Sequence, residues 1–329
     1  MERPGTGISP TITPLPGSSL LAVHEVLSSA LEDIARDHPE LVVLNADTAK
    51  SCGVDKFFRA HPEHAVQMGV AEQNMVLVSA GLWTAGRIPV VTTFAAFACL
   101  RVCEQVRTSI AYPGANVKIL ASHAGISPGE DGVTHQCIED LGIMRTIPNM
   151  VVVAPADAPS AVALLRQAVE HTGPVYLRYA RPKTPVLYAD GAPLKLGKAE
   201  ILRVGTDIAF IACGPLVATA LRAAEVLEQD GLSCCVVDVH TIKPLDAETI
   251  CKVASLAGAV VTAEDHNIIG GLGSAVAETL AEHCPVPMGR VGVRDTFAES
   301  GRYELLLDKY GMSVERLCDT ARAVFRRKR

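Results

Sequence analysis

The sequence lacks a basic stripe. Its 30 Lys and Arg against 36 Asp and Glu give a formal charge of −6, and cations cluster only in the final Arg-Arg-Lys-Arg. A nucleic-acid coat is thereby excluded, because phosphate neutralisation needs clustered cations. No apolar run reaches the length that spans a bilayer, and the opening MERPGTGISPTITPLPGSS has no apolar signal-peptide centre. Neither a membrane nor a secretion route is expected. The ten Cys form no C-x-x-C pair and no disulfide framework, so they read as small buried hydrophobes of a reducing cytoplasm. The terminal cations read as a solvated helix end that suits the helix dipole.

What is present is an apolar chain. Of its 329 residues 49% are apolar, which excludes disorder for most of the length and allows two ordinary domains. Short β-branched runs alternate with helical periods. Leu41–Asp47, Ile88–Phe94, Asn116–His123, Val151–Asp157 and Pro174–Ala180 read as strands. Ala71–Gly86, Phe97–Tyr112, His135–Arg145 and Asp157–Gly173 read as helices, the last with an Asp N-cap, an early Pro and a closing Gly. A Pro/Gly-rich break over 181–198 interrupts the pattern. It then restarts with strands at Asp207–Cys213, Ser233–Val239 and Gly258–Asp265, and it ends in an amphipathic helix over Ser313–Phe325. The expected class is α/β with two domains, each a mostly parallel sheet flanked by helices. The expected division is a flexible arm over 1–17, a first domain over 18–184, a linker over 185–198 and a second domain over 199–329.

Three clusters look chemical. Glu72 opens a helix directly after a strand, among Met68, Val70, Met75 and Val76. An apolar flank strips water from a carboxyl, favours its neutral form and makes it a proton donor. Phe94 and Phe97, two of only seven Phe, lie three apart where strand passes into helix. They could form a flat wall for a planar ring. The Gly-rich stretch SHAGISPGEDGVTHQCIED (122–140) crowds His123, Glu130, Asp131, His135, Glu139 and Asp140 into a loop after a strand. Ligands bind at such strand ends, and two His supply donors near neutral pH. No helical His-x-x-x-His or Cys partner supports a metal there.

Taken in order, GVAEQNM, TTFAAF, SHAGISPGEDGVTHQCIEDLGIMRTIPNM, APAD and GPVYLRYARP resemble the pyrimidine-binding domain of transketolase. HTIKPLD and AEDHNIIGGLGSAVAE resemble its C-terminal domain. The resemblance covers about residues 18 to 325 and is closest to the C-terminal subunit of split, two-gene transketolases. No Gly-Asp-Gly, the motif that holds magnesium and the diphosphate, occurs in this chain.

The resemblance implies a thiamine-diphosphate enzyme that moves a two-carbon ketol unit from a ketose donor to an aldehyde acceptor. It implies an N-terminal-type partner subunit that holds Mg²⁺ and the diphosphate, in an α2β2 assembly. Glu72 matches the glutamate that contacts the aminopyrimidine. Phe94 and Phe97 match flanking aromatics, with Leu100 in place of a third. Asp47 matches an aspartate near the thiazolium. His123, Asp131 and His135 match residues that contact sugar hydroxyls and the carbonyl oxygen, and Ser51 and Arg181 match part of a terminal-phosphate site. A further phosphate-binding arginine is replaced by His24, which loses the planar fork. Unphosphorylated or weakly anchored sugars in a specialised pathway are therefore expected alongside sugar phosphates. Related alternatives are a 1-deoxyxylulose-5-phosphate-synthase-like subunit, a 2-oxo acid dehydrogenase beta-type subunit, whose architecture fits but whose loop differs, and a non-catalytic scaffold paralogue. A free-standing α/β binding protein is a further possibility.

Overall fold

The computed structural model describes residues 19–328, so the expected flexible arm over 1–17 lies outside the described residues. A two-residue strand β1 (Leu20–Leu21) leads into a helix over Val23–Asp37. Strand and helix then alternate through β2 (Leu41–Asn45), β3 (Ala65–Gln67), β4 (Ile88–Phe94), β5 (Lys118–Ser122), β6 (Val151–Val153) and β7 (Val175–Arg178). β8 (Thr184–Pro185) returns to pair antiparallel with β1. The later strands are β9 (Glu200–Arg203), β10 (Ile208–Ala212), β11 (Cys234–Asp238), β12 (Thr241–Lys243), β13 (Val260–Asn267) and β14 (Met288–Val293).

Two larger sheets result, one in the order β12-β6-β7-β5-β4-β2-β3, the other β14-β13-β10-β11-β9. All pairs between β2 and β7 in the first are parallel, as are β10–β11, β10–β13 and β13–β14 in the second. Helices cover these sheets, so β2, β5, β7, β10 and β11 are buried along their whole length. This explains their largely apolar composition. The helix over Ala158–Glu170 has the expected start: Asp157 accepts from the Ser160 N–H at 2.9 Å, with Pro in its first turn.

Two expectations are corrected. The helix expected over His135–Arg145 begins only at Asp140, because Gly125 and Cys137 pair as a β-bridge and keep the preceding loop open. The helix expected over Phe97–Tyr112 is interrupted. Its backbone widens to π-type turns at Phe97–Arg101 and Val106–Ala111, with a break at Val102. The two mostly parallel sheets are as expected, and β12, after the linker, adds an antiparallel edge to the first of them against β6. The ten cysteines are all free, seven of them buried.

Candidate active site

The site forms where β2, β4 and β5 end, the side of a parallel sheet at which chain direction aims loops and helix starts at a ligand. Two of these ends are strained. Asp47, just past β2, has φ 61°, and His123, just past β5, has φ 58°, left-handed values unusual for side-chain-bearing residues. Asn45 fixes the first end. Fully buried, its amide donates to the Thr92 carbonyl (2.9 Å) and hydroxyl (2.8 Å) of β4, while its Oδ1 accepts from the Thr48 N–H at 2.7 Å. That leaves Asp47 and Ser51 exposed on the rim.

The strand-to-helix passage after β4 builds an aromatic wall. Phe94 stacks on Phe97 (ring centroids 5.6 Å apart) and on His123 (4.0 Å). His135 meets both Phe rings edge-on, at 6.1 and 5.7 Å. Glu72, first residue of the helix over Glu72–Thr84, is 4% exposed. Its surroundings are not purely apolar as expected: Arg101 donates to Glu72 Oε1 at 2.7 Å and lies 4.2 Å over the Phe97 ring. The wide π turn brings Arg101 back over Phe97 four residues earlier. Sequence reasoning missed Arg101. Its signal was the Phe97–Arg101 spacing, one turn apart on an element already marked as aromatic-bearing. Leu100 is half exposed beside it.

His123 is buried, with Nδ1 3.1 Å from the Ser122 hydroxyl, which in turn lies 3.2 Å from Cys52 Sγ. Burial pushes the imidazole down to about 4; the nearby Arg181 charge adds to this and Asp131 opposes it. Smaller effects from His24 and His135 place those side chains within its electrostatic reach. The helix carrying His24 presses so closely on the turn after Ser51 that a Cβ on Gly53 would lie 2.1 Å from the His24 carbonyl oxygen. Arg181 donates to Asp131 at 3.0 Å and to the Pro128 carbonyl at 2.8 Å.

The fold therefore joins Phe94, Phe97, His123 and His135 in one ring cluster. Arg101 ties Glu72 to it, and the Asp131–Arg181 pair and His24 lie close by. Asp47 and Ser51 stand on the same rim without a side-chain hydrogen bond to the cluster. Among the described residues no three His, Cys, Asp or Glu converge as a metal would need, and no helix is long and apolar enough to cross a membrane.

Comparison with known proteins agrees along most of the chain. The family model "Transketolase, pyrimidine binding domain" matches residues 20–186, and "Transketolase, C-terminal domain" matches 197–317. The 6-deoxy-6-sulfo-D-fructose transketolase subunit SqwH of Clostridium sp. (strain MSTE9) is 44% identical over 298 residues, 91% of this chain and 92% of that protein. An apulose-4-phosphate transketolase subunit of Phocaeicola vulgatus is 36% identical over 305 residues, 92% of this chain and 97% of that protein. A solved structure described as a split gene transketolase, inactive beta4 tetramer, superposes with a TM-score of 0.88 at 44% identity. It covers 94% of this chain and all of that one.

Proposed function

The chain belongs to the transketolase family, as a subunit of a thiamine-diphosphate-dependent two-carbon ketol transferase, and from that premise we propose how its residues divide the work with a second chain. The observation that carries the proposal is one buried carboxylate, Glu72, beside an aromatic wall that two histidines complete. A flat, partly polar aminopyrimidine suits such a set: the aromatic wall gives a planar ring apolar packing, and the Glu72 carboxyl can share a proton with a ring nitrogen. When bound, thiamine diphosphate supplies the carbon nucleophile and electron sink that the ketol transfer needs.

In this reading Glu72 and the Phe94–Phe97 wall hold the pyrimidine, and Asp47 borders the thiazolium. Mg²⁺ and the diphosphate belong to an N-terminal-type subunit in an α2β2 assembly. The support is the missing Gly-Asp-Gly motif, together with the relative described as split and, as a beta4 tetramer, inactive. His123 and His135 serve substrate oxygens. A neutral His123 ring whose proton sits on Nε2 can donate to a carbonyl oxygen that gains charge. Asp131 accepts from a sugar hydroxyl.

Glu72→Gln keeps size and a hydrogen bond but removes the carboxylate. Assembly with the partner is expected to survive while ketol transfer falls by about 10²- to 10⁴-fold. Turnover close to wild type would refute the assignment. Size-exclusion of the chain with and without the N-terminal-type subunit checks the assembly.

We also propose that the sugar's far end is weakly anchored. Arg181 is already paired with Asp131, and an imidazole at His24 lacks the bidentate fork of a guanidinium. The names of both relatives carry an anionic substituent, so the issue is the degree of preference. Matched phosphorylated and unphosphorylated aldoses are expected to differ modestly in kcat/KM. A strong preference for phosphorylated acceptors would sink the idea.

A further inference from the structure

The loop that carries His123, Asp131 and His135 has almost no regular structure of its own, apart from a single turn at Gly129–Asp131. Its backbone polar groups must find partners elsewhere, and several find them in the second half of the chain. Asp265, near the end of β13 and only 4% exposed, accepts the Ile126 N–H through Oδ1 and the Tyr303 hydroxyl through Oδ2, each at 3.0 Å. Its carboxylate lies directly under Gly125, where a Cβ would come within 2.2 Å of the carboxyl carbon. Further along, the Gly301 N–H donates to the Gly129 carbonyl at 3.3 Å, and Gln136 Nε2 donates to the Glu299 carbonyl at 3.1 Å. Gly132 passes so close to Ser300 that a Cβ would lie 2.4 Å from its hydroxyl. The tethers at 126, 129 and 136 begin three residues past His123 and bracket Asp131 and His135.

We propose that Asp265 and Tyr303 are positioning residues for ketol transfer: through the backbone of this loop, the C-terminal half sets where His123, Asp131 and His135 meet the substrate. The inference rests on the functional reading above. It assigns the second half of the chain a part in substrate geometry, although none of its side chains joins the ring cluster. Arg178 steadies the anchor from behind, donating to the Asp265 carbonyl at 2.8 Å and to Asp140 at 2.9 Å. Because a misplacement of about 1 Å can cost about 10²-fold in rate, loosening one tether should be visible in turnover without unfolding the chain.

The test uses the chain assembled with its N-terminal-type subunit and three variants. Tyr303→Phe removes one hydroxyl, Asp265→Ala removes the anchor, and Asp265→Asn keeps an acceptor for the Ile126 N–H. Tyr303→Phe and Asp265→Ala are expected to raise the aldose KM and lower kcat/KM by about tenfold or more. Affinity for thiamine diphosphate should stay unchanged, and amide hydrogen exchange should speed up within 124–137. Asp265→Asn should restore most of both. If Asp265→Ala does not fold, Tyr303→Phe carries the test. Unchanged loop exchange in Tyr303→Phe overturns the proposal. So does a fall in kcat fully accounted for by a smaller fraction of folded, assembled protein, or an Asp265→Asn variant as impaired as the alanine. Absence of ketol transfer in the wild-type assembly would instead count against the functional reading, and loop exchange would still decide the tether.

Discussion

A buried imidazole at the end of a strand gains a proton only at a cost, and His123 shows how that cost serves the site. The unfolded chain binds its proton near pH 6.5, whereas burial and Arg181 hold the folded group down to about 4. Between those values the unfolded state carries more protons, so the stability that depends on His123 is complete above pH 6.5 and lost as pH falls toward 4. His240 and His266, also pushed down to about 4 by burial, act in the same direction, while Asp265 and Glu264, pushed up to about 6 and about 7, oppose them. Comparison with a His123→Gln variant isolates the one residue. The stability difference between pH 7 and pH 5, from urea unfolding, should be about 2 kcal/mol smaller in the variant, at about 1.4 kcal/mol per pH unit below 6.5. An identical pH slope would show that His123 titrates normally in the fold. At this scale most of the site was legible. Phe94 and Phe97 are uncommon residues where a strand passes into a helix, Glu72 is set among apolar neighbours, and His135 lies in a Gly-rich loop after a strand. Arg101 was overlooked despite its spacing from Phe97, because an arginine on a helix reads as a solvated charge until a widened turn brings it over Phe97 and onto Glu72.

At the scale of elements, long periodic segments and capped helices were readable because the local chain determines them. The helix over Ala158–Glu170 is the best case: Asp-Ala-Pro-Ser states its start. The sequence does not reveal that the same carboxylate works twice. Asp157 Oδ1 accepts from the Ser160 N–H, while Oδ2 accepts from the N–H groups of Leu187 (2.6 Å) and Tyr188 (2.9 Å) just past β8. The side chain is 1% exposed, so these donors have no water to turn to. Asp157→Ala is expected to destabilise the chain by about 3 kcal/mol or more, combining a lost cap of about 1 kcal/mol with two stranded N–H groups at about 1–3 kcal/mol each. A urea midpoint within experimental error of wild type would show that water or a rearranged strap takes over. Segments that depend on distant partners were misread for the same physical reason. The loop before Asp140 carries helical periodicity, yet its β-bridge and its contacts with residues 265 and 299–303 hold it open. β12 has only three residues, too few for any local pattern, and exists because β6 offers it an edge.

For the whole molecule, the Pro-rich break suggested two bodies on a strap, whereas the contacts across the seam resemble an interior. β12 completes the first sheet from beyond the linker. The Ala154 N–H donates to the His240 carbonyl at 2.8 Å, and Lys243 Nζ donates to the Ile147 carbonyl at 2.6 Å. Buried Arg178 spans Asp140 and the Asp265 backbone. Both apolar core clusters draw residues from the two halves. Ordinary inter-domain contacts are polar and permit relative motion; this seam buries a charged network whose members would be left unpaired by separation, a costly outcome for any buried charge. Unfolding should therefore be one cooperative transition, with calorimetric and van't Hoff enthalpies in agreement. A fragment ending at residue 198 should lack fixed tertiary structure, since the β6 edge loses β12 and Arg178 loses one acceptor. Two resolved endotherms, or a well-folded fragment, would overturn this. The same coupling gives the C-terminal half its leverage over the loop at the ring cluster: an anchor can set the position of His123 and His135 to within a fraction of an ångström only if the body that carries it does not move independently.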